Sequence, residues 1–258
     1  MSAALDPTHR FSNRVKDYVL YRPGYPPGVV EILAARAGLT PESVIADIGS
    51  GTGILTRLFL DHGCELFAVE PNREMRSAAQ VALEGQPRFH SIDGRAEATG
   101  LESSSVDFVV AGQAFHWFER AAAHDEFARI LRPGGWVVLI WNQRLSDATR
   151  FAAAYEDLLL TYGTDYREVG HRNTVTLEEL TPFFAEGALL REQLPNQQSL
   201  DWQGLKGRLL SSSYTPAPGA PRHEEMIADL EGIFQRYQRD GSVRFDYRTE
   251  VYFGRLQS

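Results

Sequence analysis

Short apolar runs, each closed by glycine, proline or a carboxylate, alternate along this chain with stretches whose apolar positions recur every three or four residues. Val44-Ile45-Ala46 has the unbroken apolar character of a buried parallel strand, and Ile54, Leu55, Leu58 and Phe59 have the spacing of a helix face. Between them lies Asp47-Ile48-Gly49-Ser50-Gly51-Thr52-Gly53, so strand, glycine turn and helix follow one another without a gap. Further strands are predicted at 65–70, 88–92, 106–111 and 136–141. Helices are predicted after Pro71-Asn72-Arg73, with Asn72 placed to cap, and over 124–131. Arg132-Pro133-Gly134-Gly135 reads as a tight reversal into the fifth strand. Past residue 142 the pattern predicts helices over 151–162, 177–184, 203–210 and 223–238, a sixth strand over 192–200 and a final alternating strand over 243–256. Strands alternating with helices predict an α/β fold around a doubly wound, mostly parallel sheet.

The glycine turn carries the first chemical signal. Alternate glycines permit torsions closed to other residues and strip the turn of side chains, so a ligand can lie against main-chain N–H groups at a helix start. The spacing is not that of a dinucleotide loop, because Ile54 stands where the last glycine of G-x-G-x-x-G belongs, and the Gly-Lys-Ser/Thr of a phosphate loop is absent. Asp47, two residues before the first glycine, repels a pyrophosphate and attracts an ammonium group. Glu70 closes the second strand 23 residues further on. An acid at a spacing of about 20 meets a ribose in βαβ nucleotide sites. The plainer alternatives are a purely structural turn and an acid that ends a strand by chance.

Taken in order, Asp-x-Gly-x-Gly-x-Gly, Glu70, Gln113-Ala114-Phe115-His116-Trp117-Phe118 and Arg132-Pro133-Gly134-Gly135 resemble the class I S-adenosylmethionine (SAM) methyltransferases across residues 40–141. The Gln-Ala-Phe-His-Trp string resembles the type-11 small-molecule subfamily, which includes trans-aconitate methyltransferase-like proteins. The resemblance implies a seven-stranded Rossmann-like sheet with an antiparallel last strand, SAM as cofactor and S-adenosylhomocysteine (SAH) as product. It implies that Asp47, Gly49, Ser50, Gly51 and Gly53 hold the amino-acid end of SAM, Glu70 and Pro71 its ribose, Met75 its adenine face, and Ala96 or Glu97 its adenine edge, with Gln113 also at the cofactor. Met75 as ordinary core and Glu97 as a solvated loop charge remain open, and Arg95 departs from the small or acidic residue common in relatives.

Residues 1–38 are expected to form an N-terminal cap, and 142–190 a helical insertion over the substrate side, within one domain spanning 1–258. A sulfonium favours aromatic faces and a carboxylate favours arginine. Tyr18 and Arg22 are therefore candidates for the cofactor wall and Tyr21 for the acceptor, unless the segment is only an aromatic clamp. Tyr155, Tyr162, Tyr166, His171 and Tyr214 are candidates for an acceptor pocket, against a simple surface lobe. His116, beside Trp117 on the acceptor side, is the candidate general base because a neutral imidazole with a pKa near 6.5 accepts a proton near neutral pH. The alternative role is a hydrogen bond to the loop or to SAM.

Composition narrows the partners. With 258 residues and 43% hydrophobic content the chain can bury one sizeable core. A formal charge of −8 gives no basic footprint for nucleic acid or an anionic membrane. The single Cys64 excludes an internal disulfide and a multi-cysteine metal site, and no metal is expected. The first residues lack a charged segment followed by an apolar one, and no apolar run approaches the ~20 residues of a membrane span, so a cytoplasmic setting is expected. The function expected is O- or N-methylation of a small-molecule acceptor by in-line displacement. A SAM-binding protein without turnover and an NAD-dependent dehydrogenase are the other readings, and the oligomeric state stays open.

Overall fold

The computed structural model describes residues 19–166 and 176–257, which leaves the candidates Tyr18 and His171 outside the described residues. Seven strands form one sheet in the order β3-β2-β1-β4-β5-β7-β6. These are β1 (Val44–Ile48), β2 (Glu65–Val69), β3 (Phe89–Ile92), β4 (Val106–Gly112), β5 (Leu131–Arg144), β6 (Leu190–Leu200) and β7 (Val243–Gly254). Strands β1 to β5 pair in parallel, while β7 runs antiparallel to both β5 and β6. The doubly wound sheet with an antiparallel last strand is therefore as expected.

Period-two alternation sends successive side chains to opposite faces. Ile45, Phe108 and Val138 pack with Val29 and Leu33 of α1 (Gly28–Ala37) and Leu55 and Phe59 of α2 (Ile54–His62). Ala46, Ile48, Val109 and Val137 pack on the other face with Phe127 of α4 (Arg120–Ile130). Between those helices in sequence, α3 (Arg73–Ala82) starts at Asn72, whose side chain accepts the Met75 N–H at 2.9 Å. A third cluster joins the beginning of β7 to α5 (Arg150–Tyr162), α7 (Trp202–Leu210) and α8 (His223–Tyr237), with the short α6 (Leu177–Leu180) lying between α5 and β6 in the chain.

Of the boundaries that differ from the sequence reading, two have a clear physical cause. Helix α4 begins at Arg120 rather than at 124, because the Glu119 carboxylate accepts the N–H groups of Ala121 and Ala122 at 3.2 and 2.8 Å. A cap, not an apolar repeat, sets that start. The Arg132-to-Gly135 turn does not interrupt the strand: β5 runs through it, and the register jumps from Val106↔Leu131 to Phe108↔Trp136. Pro195 sits inside β6, which its place at the sheet edge permits, since no further strand needs its missing N–H.

The N-terminal segment is tied down where β5, β7 and β6 meet. Asn142 of β5, 9% exposed, donates to Gly24 O at 3.0 Å and accepts from the Thr249 hydroxyl at 2.6 Å. Asn196 donates to the same Gly24 carbonyl at 2.8 Å, and Gln198 to Tyr21 O at 3.0 Å. Replacing Asn142 by alanine leaves the fully buried Thr249 hydroxyl without its acceptor. We expect Asn142→Ala to lower the unfolding free energy by about 2 kcal/mol, read as a lower urea midpoint at unchanged m-value. An unchanged midpoint would show that these bonds do not hold the segment.

Candidate functional site

A cavity of about 630 Å³ opens beyond the carboxyl ends of β1 and β4, where the winding of the sheet reverses direction. Asp47 and the glycine turn form one end of its wall; Gly112, Gln113, His116 and Trp117 follow from β4 and the 3-10 turn after it. Arg22, Pro23 and Tyr25 cover it from the N-terminal segment, and α2, α5, α6, α7, β5, β6, β7 and loop residues such as Tyr166 and Tyr214 complete the wall. Tyr25 lies so close to β4 that a Cβ at Gly112 would stand 2.5 Å from its hydroxyl.

Asp47 is fully buried at the end of β1. Its Oδ2 accepts the Thr56 hydroxyl of α2 at 2.6 Å, whereas Oδ1 is buried with no hydrogen-bond partner. Burial pushes its pKa up to about 7, the charge of Glu70 adds to the rise and the Thr56 hydrogen bond opposes it. Glu70 is also buried, and burial raises its pKa, but it accepts the N–H groups of Gly51 and Asn72 at 2.9 and 2.8 Å, which pull it back. Two neighbouring acids thus differ in kind: Glu70 is satisfied by the fold and Asp47 is only half satisfied.

The turn's own N–H groups are largely engaged. Those of Gly49 and Ser50 both donate to Val69 O, at 2.9 and 3.2 Å, and that of Gly53 to Ser50 O at 3.0 Å. What the turn offers a ligand is closeness. A Cβ at Gly51, where φ is +58°, would meet no protein atom within 4 Å, although Gly51 lines the cavity. At Gly49 a Cβ would lie 2.7 Å from Ala114 Cβ, so that glycine seats the turn against the loop after β4.

Asp47, Gly49, Ser50, Gly51, Gln113, His116, Trp117, Arg22 and Tyr214 all line the cavity. Gly53, Glu70, Pro71, Met75, Ala96 and Glu97 lie off its wall. Met75 and Ala96 are buried, and Glu97 accepts the Glu119 N–H at 2.8 Å. Tyr21 packs its ring onto Gly207 of α7, away from the cavity wall. Tyr155 and Tyr166 line the cavity, whereas the Tyr162 hydroxyl donates to Asp229 at 2.6 Å outside it. Gln113, at φ +57°, donates its side-chain amide to Asn142 O at 3.0 Å, which joins the β4 loop to β5.

Sequence reasoning missed Asn142, Arg144, Arg208, Tyr247, Arg248 and Glu250, all of which line the cavity. The available signal was charge in the wrong place: Glu250, 5% exposed, stands mid-strand opposite Trp141. Among the described residues no group of three or more His, Cys, Asp and Glu is arranged to hold a metal ion, and no helix is long and apolar enough to cross a membrane.

Comparison with known proteins finds similarity to methyltransferases. Residues 46–139 match the methyltransferase domain family. An uncharacterized methyltransferase of Mycobacterium tuberculosis is 39% identical over 134 residues, 52% of each chain, so this chain spans about half the length of that relative. An uncharacterized methyltransferase-like protein of Schizosaccharomyces pombe is 28% identical over 249 residues, covering 94% of this chain and 93% of the relative. A solved structure from Anaeromyxobacter dehalogenans, named a "putative type II methyltransferase", superposes with a TM-score of 0.68 at 22% identity over 91% of this chain and 98% of that one. A SAM-dependent methyltransferase of Geobacter sulfurreducens, solved with SAH, superposes with a TM-score of 0.53 at 20% identity over 97% and 100%. At these identities the two structures establish the shared fold.

Two predictions follow from the turn. Because Asp47 titrates near 7 and its ionised form attracts a cation, affinity for SAH should rise about tenfold per pH unit up to pH 7 and level off above it. The sign for stability is the reverse. A carboxyl whose folded pKa lies above its ordinary value destabilises the fold as pH rises from about 4 to about 7, by roughly 4 kcal/mol once fully ionised. Asp47→Asn should therefore raise the urea midpoint at pH 8, with the gain fading towards pH 4, while SAH affinity is lost; no gain at pH 8 would contradict the assigned strain. Gly51→Ala, which costs about 1–2 kcal/mol in left-handed backbone, should weaken SAH binding at least tenfold by calorimetry with an unchanged circular dichroism spectrum.

Proposed function

We propose, from the premise that this chain belongs through residues 46–139 to the type-11 methyltransferase domain family, whose cofactor is S-adenosylmethionine, that the protein methylates a small-molecule acceptor at oxygen or nitrogen. The observation that carries this reading is the unpaired, fully buried Asp47 Oδ1 beside Gly51, opening on the same cavity as His116 and Trp117. A half-satisfied buried carboxylate is complementary to an ammonium group, and a glycine open to the cavity admits close approach, so the residues present fit the amino-acid end of SAM. Glu70, which holds the turn through the Gly51 N–H, and Met75 lie off the wall of this cavity, so the ribose and adenine would have to extend beyond it to reach them. When bound, SAM supplies a methyl group already activated by a positive sulfur, for in-line displacement by the acceptor.

The protein's contribution is then position and proton handling. Gln113, fixed to Asn142 O, and Trp117 would orient the acceptor. His116 would take the proton from an acceptor hydroxyl or amine. His116→Gln should lower kcat by about 10²–10⁴-fold with the SAH dissociation constant unchanged. An unaltered kcat would reduce His116 to a loop residue. The overall reading is tested by calorimetry with SAM, SAH and NAD, followed by transfer of labelled methyl into a metabolite extract. Binding of NAD without SAM would replace the reading with a dehydrogenase, and SAM binding with no label transferred would favour a binding protein without turnover.

A further inference from the structure

We infer that the acceptor carries a carboxylate and that Arg208 and Tyr155 form the subsite that binds it; the inference deepens the methyl-transfer reading of this cavity and rests on it. Five arginines line the wall among the described residues: Arg22, Arg144, Arg191, Arg208 and Arg248. Three of them are matched. Glu156 pairs with Arg144, and Glu250 takes Arg191 at 2.9 Å and Arg248 at 2.8 Å. Arg208 differs, because no carboxylate of the described residues reaches it. Its guanidinium hydrogen-bonds the Tyr247 hydroxyl and makes a long contact, 3.4 Å, from Nη1 to Ser212 Oγ, while its Nε is buried without a partner.

Tyr155, 2% exposed, supplies the second, independent observation: its hydroxyl is also buried without a partner and lines the same cavity. The Arg144 guanidinium lies over its ring at 4.8 Å and fixes it in place. Burial pushes the hydroxyl's pKa up to about 12, so it remains a donor throughout the neutral range. An N–H and an O–H that lack acceptors are complementary to a group that only accepts. A carboxylate is such a group, and charge-assisted bonds from arginine are the strong ones.

Position separates this subsite from the cofactor end. Both residues come from helices packed in one cluster with Phe245 and Tyr247 of β7. In the sheet β7 stands three strand steps from β1, which at about 4.8 Å per step is roughly 14 Å from Asp47. A carboxylate held by these donors also has its lone pairs engaged, so it anchors the acceptor, and the methylated atom is another one, nearer the glycine turn.

The test titrates the SAH complex calorimetrically with benzoate and succinate, and with benzamide and phosphate as controls. Saturable carboxylate binding is expected, at least tenfold tighter than benzamide or phosphate. Tyr155→Phe, which keeps the ring and its packing, should weaken the carboxylate about tenfold, and Arg208→Gln should abolish it, both with SAH binding retained. The inference is overturned if neither carboxylate binds the SAH complex, if benzamide or phosphate binds as tightly, or if both variants bind benzoate and succinate like the wild type. A wild-type protein that fails to bind SAH would instead remove the methyl-transfer reading, and this inference with it.

Discussion

A carboxylate buried at the end of β1 with only one of its oxygens hydrogen-bonded is the constraint to which the surrounding structure answers. Ionised acids leave water at high cost unless donors replace it. The fold supplies two N–H groups to Glu70 but one hydroxyl to Asp47, and places Glu70 near enough for its charge to act on Asp47. The chain thereby keeps an acid near its point of titration at neutral pH. On that basis the free protein is expected to be less stable and a cation beside Asp47 more strongly favoured, the usual direction of the exchange between stability and function.

Topology decides why the constraint sits where it does. Crossovers leave β1 towards β2 on one side, while β4 closes the other, so the ends of β1 and β4 diverge and leave a gap that Arg22, Pro23 and Tyr25 border among the described residues. Small residues then set the distances: Gly49 against Ala114, Gly112 against the Tyr25 hydroxyl, Gly207 against the Tyr21 ring. Asn142 is the junction. Its side chain holds Gly24 and Thr249, and its backbone carbonyl holds Gln113, so the N-terminal segment, β7 and the β4 loop are all tied to β5.

Much of this was legible because the parallel strands are buried on both faces and read as plain apolar runs ended by glycine or an acid, as at Val44 to Gly53 and Val106 to Gly112. The start of α4 was not, since Arg120-Ala121-Ala122-Ala123 has no apolar repeat and its cap is a glutamate. The passage of β5 through a proline-glycine turn was hidden for a similar reason: turn residues signal reversal, and only pairing with β4 shows a register jump instead. At the site, residues carried by one contiguous motif were found. Arg144, Arg208 and Glu250 were not, because they belong to β5, α7 and β7 and become neighbours only through antiparallel pairing and helix packing more than forty positions apart in sequence. Glu70 shows the opposite limit: its spacing suited a ribose contact, but sequence could not reveal that it already braces the N–H of Gly51.

The family match ends at Leu139, and the cavity does not. Its matched part includes the Asp47 turn and the loop after β4, to which the proposed function assigns the cofactor. Trp141, Asn142, Arg144, Tyr155, Arg208 and Tyr247 all lie beyond the match, on the part to which it assigns the acceptor. The two ends also differ in charge, with an under-satisfied acid at one and under-satisfied donors at the other. A net charge of −8 governs attraction at long range, but within a wall of low dielectric the sign of a single unpaired group outweighs it. On the proposed function, one architecture could therefore keep its cofactor while the acceptor changes. Cofactor recognition would then rest on strand ends and glycines that the fold itself requires, and acceptor recognition on side chains that any of several surrounding elements can supply.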